Sequence, residues 1–101
     1  METTMDKKYF FLRLNPVRPD FTQTMTDAER VTMHQHAAYW RQFMEEGKIV
    51  VFGPVFDPNG AFGMGVAQVD EEEELKQFIA GDPALALSTI DYFPMRAVMP
   101  G

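Results

Sequence analysis

Residues 47–69 read GKIVVFGPVFDPNGAFGMGVAQV, and the topology of the chain can be worked out from this stretch. Two largely apolar runs flank the cluster Asp57-Pro58-Asn59-Gly60. Such a cluster is typical of a turn, and its Asn-Gly pair readily adopts the positive φ angles of a tight hairpin. We therefore predict two strands, Lys48–Phe56 and Ala61–Val69, that form a β-hairpin.

A long amphipathic helix is predicted directly before this hairpin. Thr26 and Glu29 have the spacing of a capping box, in which each side chain satisfies a backbone N–H of the other residue. The helix should run to about Glu46, with Gly47 placed to end it. At about 100° per residue, one of its faces collects mainly apolar side chains. That face consists of Met33, His36, Ala37, Trp40, Phe43 and Met44.

A second helix is predicted directly after the hairpin. Asp70 occupies a possible N-cap position, and Glu73 follows it with capping-box spacing. The acidic run 71–74 lies where the helix dipole favours negative charge, and Gly81 is placed to end the helix. Asp82-Pro83 then opens a short turn or helical stub that reaches Leu87.

The two ends of the chain supply the remaining strands. Tyr9–Leu14 is aromatic and apolar and predicts a first strand, whereas Asn15–Met25 contains two prolines and predicts a loop. Thr89–Met99 predicts the last strand. Because Pro94 cannot donate a backbone hydrogen bond, that strand should lie at a sheet edge or contain a bulge.

The predicted order is β-α-β-β-α-β within one domain spanning residues 1–101, an α+β ferredoxin-like arrangement. Right-handed crossovers place both helices on one face of a four-stranded antiparallel sheet. The opposite face should then be polar, but Tyr9 and Phe11 alternate with Phe10 and Leu12, so the first strand is apolar on both sides. We therefore expect two copies to pack sheet to sheet as a homodimer.

Charge and composition exclude several classes of function. The net charge is −6, and the nine Lys and Arg residues form no cluster, so nucleic acid and anionic membrane are not expected partners. The chain has no cysteine, which excludes disulfides, thiolate catalysis and cysteine-bound metals. Residues 1–8 are polar, unlike a secretion signal, and no segment reaches the roughly 20 apolar residues of a membrane span. We expect a cytoplasmic protein.

An ordered set of residues resembles a known family. His36 is followed by Gly47-Lys48-Ile49-Val50, then by Gly53-Pro54 and by Asp82-Pro83. This set is similar to the pattern of the YCII-related domain family, within the dimeric α/β-barrel superfamily, and the resemblance spans about Tyr9 to Met99. It implies a ferredoxin-like protomer, a homodimer, and a pocket in which His36 and Asp82 form an active-site pair.

Two features depart from that family's pattern. Many relatives have an aromatic residue after Asp-Pro, where this chain has Ala84, and the smaller side chain is expected to reshape the pocket. The segment Asn15–Met25 is also longer than in the shortest relatives. The resemblance does not identify a substrate.

Each residue of the pair also has a purely structural interpretation. His36 lies on the apolar helix face, where a core histidine with one hydrogen bond would be ordinary, but an imidazole can also act as a general acid or base near neutral pH. Asp82 is suited to N-cap the stub that Pro83 begins, and a capping carboxylate can also orient an imidazole. Both interpretations stay open for both residues.

Further residues are predicted to line the pocket because they flank these two or leave room over the sheet. Glycines inside a strand permit close approach of a ligand, and a serine beyond the stub could reach the same cavity. The predicted pocket residues are Tyr39, Gly53, Pro54, Gly63, Gly65 and Ser88. His34 and His36 diverge by about 200° on a helix, so no metal site is expected.

The leading hypothesis is a small-molecule enzyme of the lyase or isomerase type that needs no cofactor. His36 would transfer a proton during isomerisation or elimination on a small organic ligand, and Asp82 would orient it. The alternative is a non-catalytic module that binds a metabolite or serves another protein as a dimer. The resemblance adds a third possibility, oxygenation of an aromatic compound without a cofactor, because related α/β-barrel dimers perform it.

Overall fold

A computed structural model describes residues 7–101 of the chain. Its elements in chain order are β1 (Lys8–Pro16), α1 (Phe21–Thr24), α2 (Asp27–Glu45), β2 (Ile49–Val55), β3 (Phe62–Val69), α3 (Glu72–Ala80), a 3-10 helix (Pro83–Ala86) and β4 (Ser88–Met95). The interpretation of residues 1–8 as polar and unlike a secretion signal falls mostly on residues 1–6, which lie outside the described residues. The assignment of residues 1–101 to a single domain stays a prediction.

The four strands form one antiparallel sheet in the order β2-β3-β1-β4. β1 is therefore central, and Leu12 pairs with Gly65 of β3 on one side and Tyr92 of β4 on the other. β4 is an edge strand, as Pro94 predicted, because an edge strand can leave one row of backbone groups unpaired. The predicted α+β fold with a four-stranded antiparallel sheet is confirmed.

The hydrophobic core lies between the sheet and the two longer helices. The side chains of Trp40 from α2 and Leu75 from α3 pack against inward-facing residues of β1 and β3, among them Leu12 and Val69. These four are the largest side chains with an exposed fraction below 2%. Since full burial of such a side chain stabilises the fold by about 1.5–3 kcal/mol, this layer holds α2 and α3 on one face of the sheet.

The start and end of α2 agree with the sequence-based prediction. Thr26 Oγ1 accepts a hydrogen bond from Glu29 N at 3.1 Å, and Thr26 N donates to Glu29 Oε1 at 2.9 Å, so both halves of the capping box are present. Gly47 follows the helix with φ of 81°, a left-handed conformation that costs glycine little. The helix that carries His36 therefore has a well-defined start and end.

The prediction of a plain loop over Asn15–Met25 is wrong. β1 continues to Pro16, and α1 forms one helical turn in which Asp20 O accepts hydrogen bonds from Gln23 N at 2.9 Å and Thr24 N at 3.0 Å. Phe21 on this turn is only 4% exposed. A single turn is too short to show a helical period in the sequence, and tertiary burial of one aromatic ring holds it in place.

Two element boundaries also differ from the prediction. Glu71, not Asp70, is the N-cap residue of α3, and it makes no side-chain cap; the Asp70 carboxylate instead accepts a hydrogen bond from Lys7 Nζ at 3.0 Å. β4 ends at Met95 rather than Met99 because its partner strand β1 begins at Lys8, so the paired register stops at Tyr9 and Met95. Residues beyond Met95 have no strand beside them in the described sheet.

Within residues 7–101, no helix combines the length and the apolar character that crossing a membrane requires.

Candidate active site

The carboxylate of Asp82 is the centre of a buried hydrogen-bond network. Asp82 is the N-cap of the 3-10 helix, where its Oδ1 accepts a hydrogen bond from Ala84 N at 2.8 Å, so the predicted capping role is confirmed. Its Oδ2 accepts a second, short bond of 2.5 Å from Trp40 Nε1. The side chain has no exposed surface. A buried carboxylate needs donors to replace water, and α2 and the 3-10 helix supply them.

The imidazole of His36 provides the third donor. Its Nδ1 lies 3.0 Å from both Asp82 oxygens. Because an ionised carboxylate only accepts hydrogen bonds, this geometry assigns the proton of the neutral ring to Nδ1 and leaves the lone pair on Nε2. The His36 side chain is 13% exposed, whereas that of Asp82 is fully covered. The histidine is therefore the member of the pair that a ligand can reach.

His36 lines an apolar cavity of about 280 Å³ between α2, the sheet and the segment that contains α1. We call it the His36 cavity. Its walls include Met33 and Trp40 from α2, Phe52 and Gly63 from the sheet, and Phe21 from α1. The structure thus joins a partly open apolar cavity to one histidine–aspartate pair whose carboxylate is buried.

Only some of the predicted pocket residues line this cavity. Gly53, Pro54 and Gly63 do, together with His36. Asp82 does not, because the His36 ring and the Trp40 indole stand in front of its carboxylate. Asp82 can therefore act on a ligand only through the imidazole.

Tyr39 and Ser88 lie away from the His36 cavity, contrary to their prediction. The Tyr39 hydroxyl donates a hydrogen bond to Phe78 O at 2.8 Å, and its ring stacks on that of Phe78 with centroids 5.0 Å apart. Burial, and then the charge of Asp82, raise the pKa of Tyr39. The Ser88 hydroxyl donates to Ala84 O at 2.7 Å. Both hydroxyls are thus engaged by helix carbonyls.

Ala84 does not reshape the cavity in the way that its departure from the family pattern led us to expect. It is fully buried and does not line the His36 cavity, so its side chain fills core space instead. Its backbone N–H, which any residue but proline would supply, donates a hydrogen bond to Asp82.

Trp40 is the residue of this network that sequence reasoning placed only in the core. Its indole ring lies beside the His36 ring, with centroids 5.2 Å apart, while its N–H holds Asp82. The available signal was the spacing of four residues between His36 and Trp40, which puts both rings on one helix face, one turn apart.

Gly65, also predicted to line the pocket, lies beneath Trp40 instead. A methyl group at Gly65 would lie 2.4 Å from Trp40 Cζ3 and 3.3 Å from Phe52 Cβ. Real side chains do not tolerate such a contact, so any larger residue must displace the indole. Gly65 therefore matters to the pair because its lack of a side chain lets Trp40 reach Asp82.

We expect Gly65→Ala to destabilise the protein by about 1–3 kcal/mol, the usual cost of overpacking a core. Urea unfolding followed by tryptophan fluorescence measures this directly, since Trp40 is the single tryptophan of the chain. Gly53→Ala is the matched control, because a methyl group there meets nothing within 4 Å. Equal stability of the two variants would show that the indole is not confined as described.

The segment that contains α1, which lines the His36 cavity through Phe21, is tied to the first turn of α2. Arg18 donates from Nη2 to Glu29 Oε1 at 2.8 Å and from Nη1 to Glu29 Oε2 at 3.1 Å, and its Nε donates to Thr24 Oγ1 at 2.8 Å. Such bidentate pairs fix geometry as well as supplying energy. The hydrogen bond from Arg18, and then that from the Thr26 backbone, lower the pKa of Glu29 to about 2.

The Arg18–Glu29 pair predicts an acid-sensitive contribution to stability. A carboxylate with a lowered pKa stabilises the fold fully above its ordinary value of 4.5, and this contribution is lost as the pH falls towards 2. Glu29→Gln should therefore be less stable than the native protein at neutral pH, and the difference should shrink below pH 4.5. Urea midpoints across this range test it, with the exposed Glu45→Gln as control. A difference independent of pH would contradict the ion-pair assignment.

The described residues offer little for a metal. Within residues 7–101, no three His, Asp or Glu side chains come together as metal ligands would.

Comparison with known proteins identifies a domain family and a shared fold. The family model described as the YCII-related domain matches residues 9–99. The solved structure of 5-chloro-2-hydroxyhydroquinone dehydrochlorinase from Burkholderia phenoliruptrix AC1100, in complex with 2,5-dihydroxybenzoquinone, matches with a TM-score of 0.60 and 19% identity, covering 90% of this chain and 95% of that one. At this identity the similarity concerns the fold. A comparison with curated proteins gave no match.

Two further structures are less similar. SnoaB, a cofactor-independent oxygenase from Streptomyces nogalater, matches with a TM-score of 0.48 and 16% identity over 94% of this chain and 96% of that one. The NE2512 protein of unknown function from Nitrosomonas europaea matches with a TM-score of 0.49 and 17% identity over 98% of this chain and 99% of that one.

Proposed function

The chain belongs to the YCII-related domain family, and from this we propose that it is a small-molecule enzyme of the lyase or isomerase type. It would catalyse proton transfer or elimination without a cofactor, using His36 as the general base or acid. The observation that supports this most directly is the 3.0 Å contact of His36 Nδ1 with both Asp82 oxygens at the wall of an apolar cavity.

In the proposed mechanism each member of the pair has a separate task. Asp82 accepts a hydrogen bond from the Nδ1–H of His36, which fixes the ring orientation and directs the Nε2 lone pair to the ligand. When Nε2 takes a proton from the substrate, the buried carboxylate stabilises the imidazolium that forms. The same proton can then be returned to another atom of the substrate, or to a leaving group, which completes isomerisation or elimination.

Covalent attack has less support than proton transfer. The chain has no cysteine, and the hydroxyl of Ser88 donates to Ala84 O rather than pointing at His36. A nucleophile would need to lie within hydrogen-bond reach of the base that activates it. We therefore assign His36 to move protons of the substrate itself.

A non-catalytic binding module is the second candidate, and the bonds of Asp82 support it. Asp82 caps the 3-10 helix and anchors the Trp40 indole, so its burial can be explained by structure alone. In this alternative the His36 cavity holds a metabolite without changing it.

Solvent deuterium exchange separates the two candidates. The protein is incubated in D₂O with a panel of small uncharged organic compounds, and proton NMR follows each carbon-bound hydrogen. An enzyme that abstracts protons should exchange hydrogen at one carbon, or form an eliminated product, with at least one compound. Binding without exchange or product across compounds that raise the melting temperature would favour the binding module. Oxygen uptake in the same panel would instead indicate oxygenation.

We further propose that the protein works as a homodimer joined through the sheet face that α2 and α3 leave uncovered. This outer face carries Phe11, Val51, Phe93 and Met95, and the last three are 48%, 49% and 39% exposed. Phe11 and Phe93 pair across β1 and β4 with ring centroids 6.3 Å apart. A contiguous apolar patch of this kind is typical of an interface, and a second copy would bury it symmetrically.

Phe93→Asp should dissociate this dimer, because it would bury an unpaired charge in an apolar interface. Loss of a central aromatic contact costs about 2 kcal/mol or more, which weakens the dimer by roughly thirtyfold or more in Kd. Sedimentation velocity at several concentrations measures the shift. Val31→Asp on the outside of α2, where Val31 is 57% exposed, is the matched control. A native protein that sediments as a monomer at high concentration would refute the proposal.

A further inference from the structure

Resting on the proposed function, we infer the chemical class of the ligand: the His36 cavity takes an uncharged single-ring molecule with a weakly acidic hydroxyl, that is, a phenol-like compound. Four features of the cavity support this class: its size, its lack of fixed charge, its flat aromatic and thioether walls, and the imidazole of His36, the one acid–base side chain among its described lining residues.

The size of the cavity limits the ligand to about one ring. Its volume is about 280 Å³. Sites for drug-sized ligands are typically about 300–1,000 Å³, so this one lies below the small end of that range. A single substituted ring fills it, whereas a fused polycyclic compound or a nucleotide would project out of it.

The walls exclude charged ligands. Among the residues that the structure describes, none that lines the cavity carries a fixed charge. The nearby Arg18 is occupied by Glu29 and Thr24, so it has no free donor pair for an anion. Burying a carboxylate or phosphate without a partner costs far more than apolar contacts return. The ligand should therefore enter without formal charge.

The shape and chemistry of the walls favour a flat ring. Trp40, Phe52 and Phe21 present aromatic surfaces, and Met25 and Met33 present thioethers. Aromatic pairs and sulfur–aromatic contacts each add attraction beyond simple burial. A planar aromatic ring can make these contacts with all of these surfaces. A saturated ring of equal size gains only the free energy of burying its apolar surface.

The imidazole of His36 selects a hydrogen-bond donor on the ligand. With Nδ1 bonded to Asp82, His36 offers only the Nε2 lone pair. A weakly acidic hydroxyl satisfies it by donation and can pass its proton to Nε2, which leaves the electron pair on the ligand oxygen. The resulting oxyanion faces the imidazolium, and the charge of the latter is balanced by Asp82. A ligand that only accepts hydrogen bonds would leave Nε2 unsatisfied.

The chromophore 4-nitrophenol is a suitable probe, because its phenolate is yellow and its neutral form is colourless. We expect it to bind the full-length protein saturably at a pH below its own pKa, to raise the melting temperature and to develop the phenolate band. Benzoate, phenyl phosphate and cyclohexanol at equal concentration should shift the melting temperature much less. A charged compound that stabilises the protein as much as 4-nitrophenol, or absence of saturable binding by 4-nitrophenol, would overturn the inference.

His36→Leu keeps the apolar volume and removes the proton acceptor, so it separates ring binding from ionisation. The variant should still be stabilised by 4-nitrophenol but should show no phenolate band. A phenolate band that persists in His36→Leu would refute the role assigned to Nε2. If 4-nitrophenol binds as expected while no compound undergoes deuterium exchange or elimination, the ligand class stands and the catalytic proposal fails. Turnover of a charged compound would mean that the catalytic proposal stands and the inferred ligand class is wrong.

Discussion

Replacing His36 with alanine is expected to lower turnover by about 10²- to 10⁴-fold, the usual contribution of a positioned general acid or base. The substrate would be whichever compound shows deuterium exchange or elimination with the native protein. Among the described residues of the cavity wall, no other side chain is an acid or a base, so no neighbour can replace the imidazole. The measurement is kcat with saturating compound, accompanied by circular dichroism to confirm the fold.

His34→Ala is the matched control, since His34 lies on the same helix but is exposed. It should leave kcat within experimental error of the native value. Added imidazole offers a further check, because it can enter the space that His36→Ala creates and restore part of the activity. Unchanged turnover in His36→Ala would remove the proposed mechanism, whatever the stability of the variant.

Replacing Asp82 with alanine is expected to destabilise the protein by about 3–5 kcal/mol, the cost of removing one partner from a buried charged network. His36 Nδ1, Trp40 Nε1 and Ala84 N would all lose their acceptor in a site that water does not reach. Against a total stability of about 5–15 kcal/mol for a small domain, this loss is large. Urea unfolding gives the free energy of unfolding.

Asp70→Ala provides the surface comparison for this experiment. The Asp70 carboxylate forms an ion pair with Lys7 and its side chain is 49% exposed, so its removal should cost about 1 kcal/mol or less. An equal loss of stability in Asp82→Ala and Asp70→Ala would show that the buried network contributes no more than a surface ion pair.

Asp82→Asn separates the structural from the orienting role of this residue. An amide can still accept hydrogen bonds through its oxygen, so the loss of stability should be smaller than for Asp82→Ala. The amide no longer requires a proton on Nδ1 of His36, however, so nitrogen-15 NMR of the imidazole should show a mixture of tautomers. A single unchanged tautomer in Asp82→Asn would contradict the orienting role.

Local patterns in the sequence were sufficient to predict the order and type of the main elements. The capping box of Thr26 and Glu29, the turn at residues 57–60 and the helix-ending Gly47 act through neighbouring residues, so they can be recognised without tertiary contacts. The same reasoning failed for α1, which is one turn long, and for the end of β4, which depends on where its partner strand begins.

The sequence identified His36 and Asp82 as candidates, but the contact between their side chains depends on the tertiary structure. They are 46 residues apart in the chain, and the α2 and 3-10 helix positions bring their side chains to 3.0 Å. The direction of a side chain within a packed core cannot be read from periodicity alone. For this reason Tyr39 and Ser88, plausible by position, form hydrogen bonds away from the His36 cavity.

The sequence by itself determined an α+β chain with a histidine on an apolar helix face, because hydrophobic period, caps and turns act over a few residues. Only the tertiary structure decided that Trp40 holds Asp82, that Gly65 gives the indole its space and that Phe21 lines the cavity. Each of these depends on contacts between distant parts of the chain, whose distances are set by how whole helices and strands pack together.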